Sequence, residues 1–286
     1  MQIAIAGLWR DRAGRFAPVK AAGVALALYP AAVLLLRALA GDLGSRPITE
    51  AIHDVGDWTV RFFLLSLTVT PARAWLDMPK LIPLRRVFGV TTACYAGLHL
   101  LLYGADQGWN LATIASEIVL RFYLTIGFGA LLALGALAVT STDGWQRRLR
   151  HRWKQLHRLV WPIGVLGLFH YFLQAKSNVA AAAFHTGLFY ALVLWRLAPR
   201  RWQSKAVALL PITALAGLAT AATEFAWYGL ATKINPWRVL AANLDVFYSL
   251  RPAPQVLVTG LVLSGVIGLR RWYRARRVVP VVAGGG

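Results

Sequence analysis

The sequence has one cysteine, few acidic residues and few charged residues overall. Cys94 is the single cysteine, which excludes an internal disulfide and any iron–sulfur or zinc site built from several thiolates. Charged residues make up 15% of the chain, whereas about a quarter is usual for soluble domains. Apolar runs recur along the whole length, and hydrophobic residues reach 58%. We therefore predict an all-α fold, a polytopic membrane helical bundle embedded in a lipid bilayer.

Eight membrane spans are predicted, each about long enough to cross a hydrocarbon core of ~30 Å. They cover residues 19–39, 58–76, 87–104, 117–139, 157–174, 180–197, 206–227 and 254–270. No cleavable signal peptide is expected, because the first apolar run lacks a clear small-residue cleavage site and further spans follow it. The predicted organisation is an N-terminal segment (1–18), a six-helix core (19–197) and a C-terminal extension with two spans and a basic tail (198–286).

Basic residues greatly outnumber acidic ones, with 31 Lys and Arg against 11 Asp and Glu and a net charge of +20. Such a balance can indicate nucleic-acid binding, but here the basic residues form short clusters between apolar runs, so no nucleic acid is expected. The clusters occupy the N-terminal segment, the loops after spans 2, 4 and 6, and the tail. The positive-inside rule therefore predicts a bacterial inner-membrane protein with both termini in the cytoplasm.

Histidines lie in or beside the apolar spans, where ionisable side chains are costly and usually functional. His99 lies late in span 3 and His170 late in span 5, and both spans run outward from the cytoplasm. The two are expected at similar depth near the periplasmic side, where they could ligate one iron from opposite faces. Tyr95 and Tyr103 flank His99 one turn away on the same face. This aromatic ridge suits either a planar ligand or ordinary helix packing.

His157 lies about 13 × 1.5 ≈ 20 Å before His170 along a helix, a spacing that suits two stacked cofactors. Thirteen positions on an ideal helix would leave the two side chains out of phase. Pro162 lies between them and is predicted to bend the helix and change that phase. Arg85 and Arg86, rather than a second histidine, are expected at the level of His157. They could pair with haem propionates or with a flavin phosphate.

Four segments carry a family resemblance that covers about residues 20–197. They are "HDVGDWTVRFFLLSLTVTPAR", "RRVFGVTTACYAGLHLLLYGADQG", "LRFYLTIGFGALLALGALAVTS" and "RWKQLHRLVWPIGVLGLFHYFLQAK". Together they resemble the haem-binding membrane subunits of periplasmic protein-methionine-sulfoxide reductase systems, the MsrQ or YedZ family. That family belongs to the ferric-reductase-like transmembrane group. Spans 7 and 8 and the basic tail depart from the shorter members.

The resemblance implies a haem b core that carries electrons from the quinone pool to a periplasmic molybdopterin reductase (MsrP-like). That partner reduces methionine sulfoxide in oxidised proteins. His99 and His170 match the family's haem-ligand histidines. His157 matches a third motif histidine, linked to a second haem with Arg85 or Arg86 as its companion, so that one or two haems are implied. FMN is also implied, with a cytoplasmic flavin reductase as a further partner.

The sequence is also compatible with two other functions. A ferric-chelate reductase-like oxidoreductase would need electrons from a separate flavoprotein, because the sequence has no G-x-G-x-x-G segment. A transporter or structural membrane subunit would use the histidines as proton relays or as packed residues.

Several further residues have two interpretations or a structural one. Arg61 and Arg121 are expected to neutralise either propionates or the neighbouring Asp57 and Glu117. Cys94 is expected to be packed in the core.

Overall fold

The computed structural model describes residues 9–10, 13–176, 178–245 and 249–277. This part of the chain is α-helical and has no β-strand, only one isolated bridge between Arg10 and Phe16. The helices are α1 (Pro18–Leu39), α2 (Pro47–Leu76), α3 (Ile82–Asp106), α4 (Leu111–Leu120), α5 (Phe122–Val139), α6 (Asp143–Leu149), α7 (His151–Leu156), α8 (Val160–Ala175), α9 (Ala180–Leu197), α10 (Arg200–Gln203), α11 (Leu209–Ala231), α12 (Pro236–Leu244) and α13 (Pro252–Arg277). The predicted all-α class is confirmed.

Seven helical segments of the described residues are long and apolar enough to cross a membrane. They are Pro18–Leu39, Pro79–Asp106, Phe122–Val139, His151–Ala175, Ala180–Leu197, Ala206–Ala231 and Pro252–Arg276. These match seven of the eight predicted spans, and the chain is a multi-pass helical membrane protein. The second predicted span falls inside α2, a 30-residue helix that carries Asp57, Arg61 and Arg73 and is not among the seven.

The fourth predicted span begins too early, because the backbone is extended at Arg121 and separates α4 from α5. Arg121 lies at this break, and its guanidinium pairs with the Glu117 carboxylate one turn back in α4. A run that looks continuous in hydropathy is therefore two helices, and only α5 is long enough to span a bilayer.

Packing divides the chain into two compact units. The first unit comprises Met1–Thr70 and Pro79–Asn178, and the second comprises Pro71–Met78 and Val179–Gly286. The second unit therefore includes α9 together with α11, α12 and α13. The predicted boundary after residue 197 concerns the extent of the functional core and stays a prediction.

In the first unit α1 packs on α3, and α3 and α8 pack on α5. Pro30 interrupts α1, and the Tyr95 hydroxyl of α3 fills the gap. It donates to the Ala27 carbonyl at 2.9 Å and accepts from the Ala31 N–H at 3.0 Å, the two groups that an unbroken helix would join directly. Cys94, one residue away, is exposed, so its predicted place in the core was wrong.

In the second unit α9, α11 and α13 pack through small residues. Gly187 of α9 lies against Thr220 and Val256, and Gly260 of α13 lies against Thr213 of α11. Such contacts let helix backbones approach closely, which is the usual way that membrane helices associate.

Candidate metal centre

Helices α2, α3, α5 and α8 of the first unit line a cavity of about 500 Å³ with mostly apolar walls, here named cavity 1. His99 of α3 and His170 of α8 face each other across it, with ring centres 6.4 Å apart and ring planes at 87°. The volume lies within the ~300–1,000 Å³ usual for small-molecule and cofactor sites. The structure thus brings together the two histidines that the sequence analysis paired.

Both imidazoles are held by backbone carbonyl groups. The Nδ1 atom of His99 lies 2.9 Å from the Ile52 carbonyl oxygen, and that of His170 lies 2.8 Å from the Tyr123 carbonyl oxygen. A carbonyl oxygen only accepts hydrogen bonds, so each Nδ1 carries the proton and each Nε2 keeps its lone pair. This is the usual arrangement of metal-ligating histidines, in which the second ring nitrogen fixes the tautomer and the ring orientation.

The spacing of the rings also fits two imidazole ligands on one metal. Two metal–nitrogen bonds of about 2.0 Å, plus about 1.2 Å from each nitrogen to its ring centre, give about 6.4 Å between ring centres. The observed separation is 6.4 Å. No group of three or more His, Cys, Asp or Glu in the described ranges could hold a metal ion by itself. Two imidazoles are a usual ligand pair for haem iron, and the tautomers and spacing of this pair fit that role.

Two glycines make room for the two imidazoles. A Cβ on Gly56 would lie 3.2 Å from the Nδ1 and Cε1 atoms of His99. A Cβ on Gly127 would lie 2.7 Å from Nδ1 and 2.8 Å from Cε1 of His170. Neither glycine has a positive φ, so it is the missing side chain and not backbone freedom that matters. Neither glycine was predicted from the sequence to have a role, although an isolated glycine inside a helical run is itself a sign of close packing.

His157, Arg85 and Arg86 lie elsewhere, on a second cavity of about 950 Å³, here named cavity 2. Phe63, Thr92 and Leu134 line both cavities, so cavities 1 and 2 adjoin within the first unit. His157 stacks on Trp153 with ring centres 3.9 Å apart. Its Nδ1 lies 3.2 Å from the Trp153 carbonyl oxygen and its Nε2 lies 3.4 Å from the Ser141 hydroxyl. No second histidine lines cavity 2 among the described residues.

The predicted change of helix phase occurs where Pro162 was expected to cause it. α7 ends at Leu156, a 3-10 turn occupies His157–Leu159, and α8 begins at Val160. Pro162 falls in the first turn of α8, where its missing N–H leaves no hydrogen bond unmade. Since a 3-10 turn has 3.0 residues per turn, His157 and His170 no longer follow one helical phase.

The polar residues near cavity 1 pair mostly with each other. Arg61 Nη2 lies 3.3 Å from Asp57 Oδ2, and Asp57 also accepts a hydrogen bond from Tyr171. Arg61 therefore pairs with its neighbouring carboxylate, as one of its two predicted roles required, and Arg121 does the same with Glu117. Tyr103 lines cavity 1 but Tyr95 does not, so only part of the predicted aromatic ridge faces the cavity.

Comparison with known proteins gives one family match and several close relatives. Residues 55–168 match the family described as "Ferric reductase like transmembrane component". The matched stretch contains His99 and His157 and ends two residues before His170. No solved structure matches the chain.

Each of the three relatives compared below is named protein-methionine-sulfoxide reductase heme-binding subunit MsrQ. The chain is 42% identical to the Rhodospirillum rubrum protein over 192 residues, which is 66% of this chain and 90% of that one. It is 39% identical to the Caulobacter vibrioides protein over 181 residues, 63% of this chain and 84% of that one. It is 40% identical to a Xanthomonas campestris protein over 156 residues, 54% of this chain and 72% of that one.

Proposed function

The chain belongs to the MsrQ family, and on that premise we propose that it is a haem b electron-transfer subunit of the bacterial inner membrane. The observation that supports this most directly is the His99–His170 pair, with rings 6.4 Å apart across an apolar cavity and both Nδ1 atoms on backbone carbonyls. The names of the relatives support haem binding, and the geometry of this pair supports the choice of the two residues that would hold the haem.

His99 and His170 would hold the haem iron, each through its Nε2 atom. When bound there, haem b supplies an iron that takes up and releases one electron. The Ile52 and Tyr123 carbonyls keep each imidazole in the ligating tautomer. Gly56 and Gly127 leave the space in which the rings stand. The apolar walls lower the local dielectric, which is one of the means by which a protein sets the potential of its haem.

The proposed direction of electron flow is from the quinone pool to a periplasmic, MsrP-like molybdopterin reductase that repairs methionine sulfoxide in oxidised proteins. The basic clusters support cytoplasmic termini, because Lys and Arg concentrate in cytoplasmic loops. That orientation places cavity 1 nearer the periplasm and cavity 2 nearer the cytoplasm. FMN and a cytoplasmic flavin reductase, which the resemblance implies, stay predictions.

A second haem on His157 also stays a prediction, and one haem is the simpler proposal. The ring of His157 lies flat on Trp153, and both of its nitrogens face other polar groups. Arg85 and Arg86 are the predicted companions, but a protonated guanidinium has no lone pair to offer a metal. These arginines are better suited to bind an anion.

A ferric-chelate reductase-like activity is the second candidate, supported by the description of the matching family. It uses the same histidine pair and differs in the electron donor and acceptor. A test with purified protein separates the two, because quinol would reduce the haem of an MsrQ-type subunit directly. A ferric-chelate reductase would need an added flavoprotein and would pass electrons to ferric chelates.

The deciding experiment is the optical spectrum of the purified, haem-replete chain after dithionite reduction. A b-type α-band is expected in the wild type, and we expect it to be lost in His99→Ala and in His170→Ala. His151→Ala removes an exposed histidine at the start of α7 and serves as the matched control. An α-band that survives both cavity 1 substitutions would refute the assignment of the ligands.

The partner is tested separately. The chain and a periplasmic MsrP-like reductase are co-expressed, and quinol-dependent reduction of methionine sulfoxide is measured in membranes. The activity should disappear in His99→Ala and persist in His151→Ala. Activity that does not depend on quinol would contradict the proposed electron source.

A further inference from the structure

One end of the second unit is strongly basic, around α10 and at the last turns of α13. Seven Lys and Arg residues, here named the basic end, belong to it: Arg200, Arg201, Lys205, Arg270, Arg271, Arg274 and Arg276. Asp77, which follows α2, pairs with Arg274 at 3.5 Å. This exposed pair offsets one of the seven positive charges and leaves the basic end with a large excess.

Hydrogen bonds hold the parts of the basic end together. Arg271 Nη2 donates to the Trp75 carbonyl oxygen at 3.1 Å and also to the carbonyl oxygen of Ser204, which follows α10. Trp195 Nε1 of α9 donates to the Gln203 carbonyl oxygen at 3.0 Å. Because α10 and the end of α13 are joined in this way, their positive charges act at one place. A local excess of one sign attracts the opposite charge.

Helix α13 leads from an exposed apolar segment directly into the basic end. Its 26 residues make it about 39 Å long, whereas the hydrocarbon core of a bilayer is about 30 Å thick. Val262, Val266 and Leu269 are each more than half exposed, and so is Tyr273 one turn further on. Their spacing of three and four residues places these four side chains, here named the apolar stripe, on one face of the helix. In a bilayer this face meets lipid chains.

Two arginines flank the apolar stripe where it ends. Arg270 follows Val266 by four residues, and Arg276 follows Tyr273 by three. The helical repeat therefore sets the two arginines on opposite sides of the stripe. Arg270 Nε is buried and has no hydrogen-bond partner among the described residues. A buried donor without an acceptor is unfavourable, and an oxygen atom of a ligand would remove that cost.

Aromatic rings mark the depth at which Arg276 lies. Its Cζ atom is 3.8 Å from the centre of the Trp272 ring, and the rings of Trp272 and Tyr273 are 5.0 Å apart. Stacking fixes the plane of a guanidinium and leaves the N–H groups at its edge free to donate. Trp and Tyr are enriched where lipid chains meet headgroups. This turn of α13 is therefore suited to the level of the headgroups.

We propose that this end of the apolar stripe binds one anionic phospholipid, with an acyl chain along the stripe and the phosphate between Arg270 and Arg276. Guanidinium groups match the oxygens of a phosphate ester in geometry and in charge. A phospholipid joins a phosphate to long apolar chains, and α13 presents the complementary groups in the same order. The remaining cations of the basic end strengthen the attraction.

The lipid site is separate from the proposed electron-transfer function. Helix α13 lies outside residues 20–197, over which the sequence resembles its family, and the site includes no residue that lines cavity 1 or cavity 2. The proposal therefore gives a role to the C-terminal extension, which is to anchor its last helix to anionic lipid.

The experiment identifies the lipid that stays bound to the full-length chain. The protein is reconstituted in nanodiscs of phosphatidylglycerol and phosphatidylcholine in equal amounts and transferred to a mild detergent. Native mass spectrometry then counts the lipids that each chain retains. We expect the wild type to retain phosphatidylglycerol in preference to phosphatidylcholine, because only the former carries a net negative charge.

Substitutions test the two arginines. Arg270→Gln and Arg276→Gln should each weaken phosphatidylglycerol retention about 5-fold, which corresponds to the ~1 kcal/mol that one basic side chain contributes near an anionic surface. The double variant should lose about 25-fold, because the two effects add. Arg274→Gln is the matched control. It removes the same charge from the same end of α13, but Arg274 is already paired with Asp77 and should matter little.

Three results would overturn the proposal. Equal losses from Arg274→Gln and from the double variant would indicate a diffuse effect of charge and no site. A wild type that retains both lipids equally would show no selection of the anionic headgroup. Release of the lipid by excess glycerol 3-phosphate would show that the apolar stripe contributes nothing and that a dissolved phosphate ester is the ligand.

Gel filtration and circular dichroism of every variant identify misfolding. The lipid count does not depend on haem content. A wild type that lacks haem would therefore defeat the proposed function while leaving the lipid experiment valid.

Discussion

The two compact units use the same residue, glycine inside a helix, for opposite purposes. In the first unit Gly56 and Gly127 lie against the rings of His99 and His170 and so leave space for a functional side chain. In the second unit Gly187 and Gly260 lie against residues of neighbouring helices and let those helices pack closely together. What faces a glycine, and not the glycine itself, shows whether a close contact is functional or architectural.

Buried polar groups differ between the units in the same way. The histidines of cavity 1 each commit one nitrogen to a carbonyl and keep the other uncommitted. Glu224 of the second unit is fully buried, and both of its oxygens are used. Oε1 accepts from Arg251 at 2.8 Å and Oε2 accepts from Asn243 at 3.0 Å. A group with a spare electron pair can bind a ligand, whereas Glu224 joins α11, α12 and the start of α13.

The largest expected effect is loss of the haem site in Gly127→Ala. The new methyl group would overlap His170 Nδ1 at 2.7 Å, and the ring cannot swing away without giving up its bond to the Tyr123 carbonyl. The reduced α-band of the purified protein should therefore fall to a small fraction of its wild-type intensity. Gly129→Ala, two residues along α5, meets no described atom within 4 Å and should keep the full band. Equal haem content in the two variants would mean that the ring adjusts freely.

Glu224→Ala should be the most destabilising single change in the second unit. It leaves the Arg251 guanidinium, which is 25% exposed, and the buried Asn243 without their shared partner. Breaking a buried ion pair from one side costs about 3–5 kcal/mol, and the partial exposure of Arg251 places this case near the lower end. Unfolding in mixed micelles, followed by circular dichroism, measures the change.

The exposed pair of Asp77 with Arg274, 3.5 Å apart in the same unit, provides the control. Arg274→Ala should change stability little, because exposed ion pairs contribute little and Ala is well tolerated within a helix. A loss from Arg274→Ala as large as that from Glu224→Ala would show that burial is not what matters here.

Hydropathy and charge predicted most of the fold, since both are local properties of the sequence. Seven spans were located in this way, whereas the interruption between His157 and His170 was predicted from Pro162. The pairing of His99 with His170 followed from their depth in two parallel spans. The break at Arg121 was missed, because the apolar composition continues on both sides of it and only the backbone changes direction.

The details of the site could not be predicted, because they depend on contacts between residues far apart in the chain. His99 is held by the Ile52 carbonyl and His170 by the Tyr123 carbonyl, each 47 positions away. A backbone carbonyl has no sequence signature. The position of Arg10 on cavity 2 could likewise not be predicted from the sequence. A short basic segment before a membrane helix is normally interpreted only as an orientation signal.

A smaller effect is expected from adding one methyl group at glycines of each unit. Gly187→Ala would bring a Cβ into overlap with Thr220 and Val256. Thr220 is fixed by its bond to the Ala216 carbonyl at 2.7 Å, so overpacking should cost about 1–3 kcal/mol. Gly97→Ala in α3 meets no described atom within 4 Å and should be neutral or stabilising by up to about 1 kcal/mol. The unfolding midpoint of Gly187→Ala should fall below that of the wild type, whereas that of Gly97→Ala should equal or exceed it.

The smallest effect concerns the hydroxyl groups, which also differ between the units. Thr213 and Thr220 in the second unit bond back to carbonyls of their own helix, whereas Tyr95 in the first unit bridges two groups of α1. Tyr95→Phe removes that bridge, and the Ala31 N–H can regain the Ala27 carbonyl only if α1 straightens beside Pro30. We expect a loss of about 1 kcal/mol in unfolding free energy, the usual net value of a buried hydrogen bond. Tyr29→Phe alters an exposed hydroxyl of the same helix and should be neutral. If both variants unfold as the wild type does, the first unit does not rely on the inserted hydroxyl to keep α1 on α3, and this contrast between the two units would be lost.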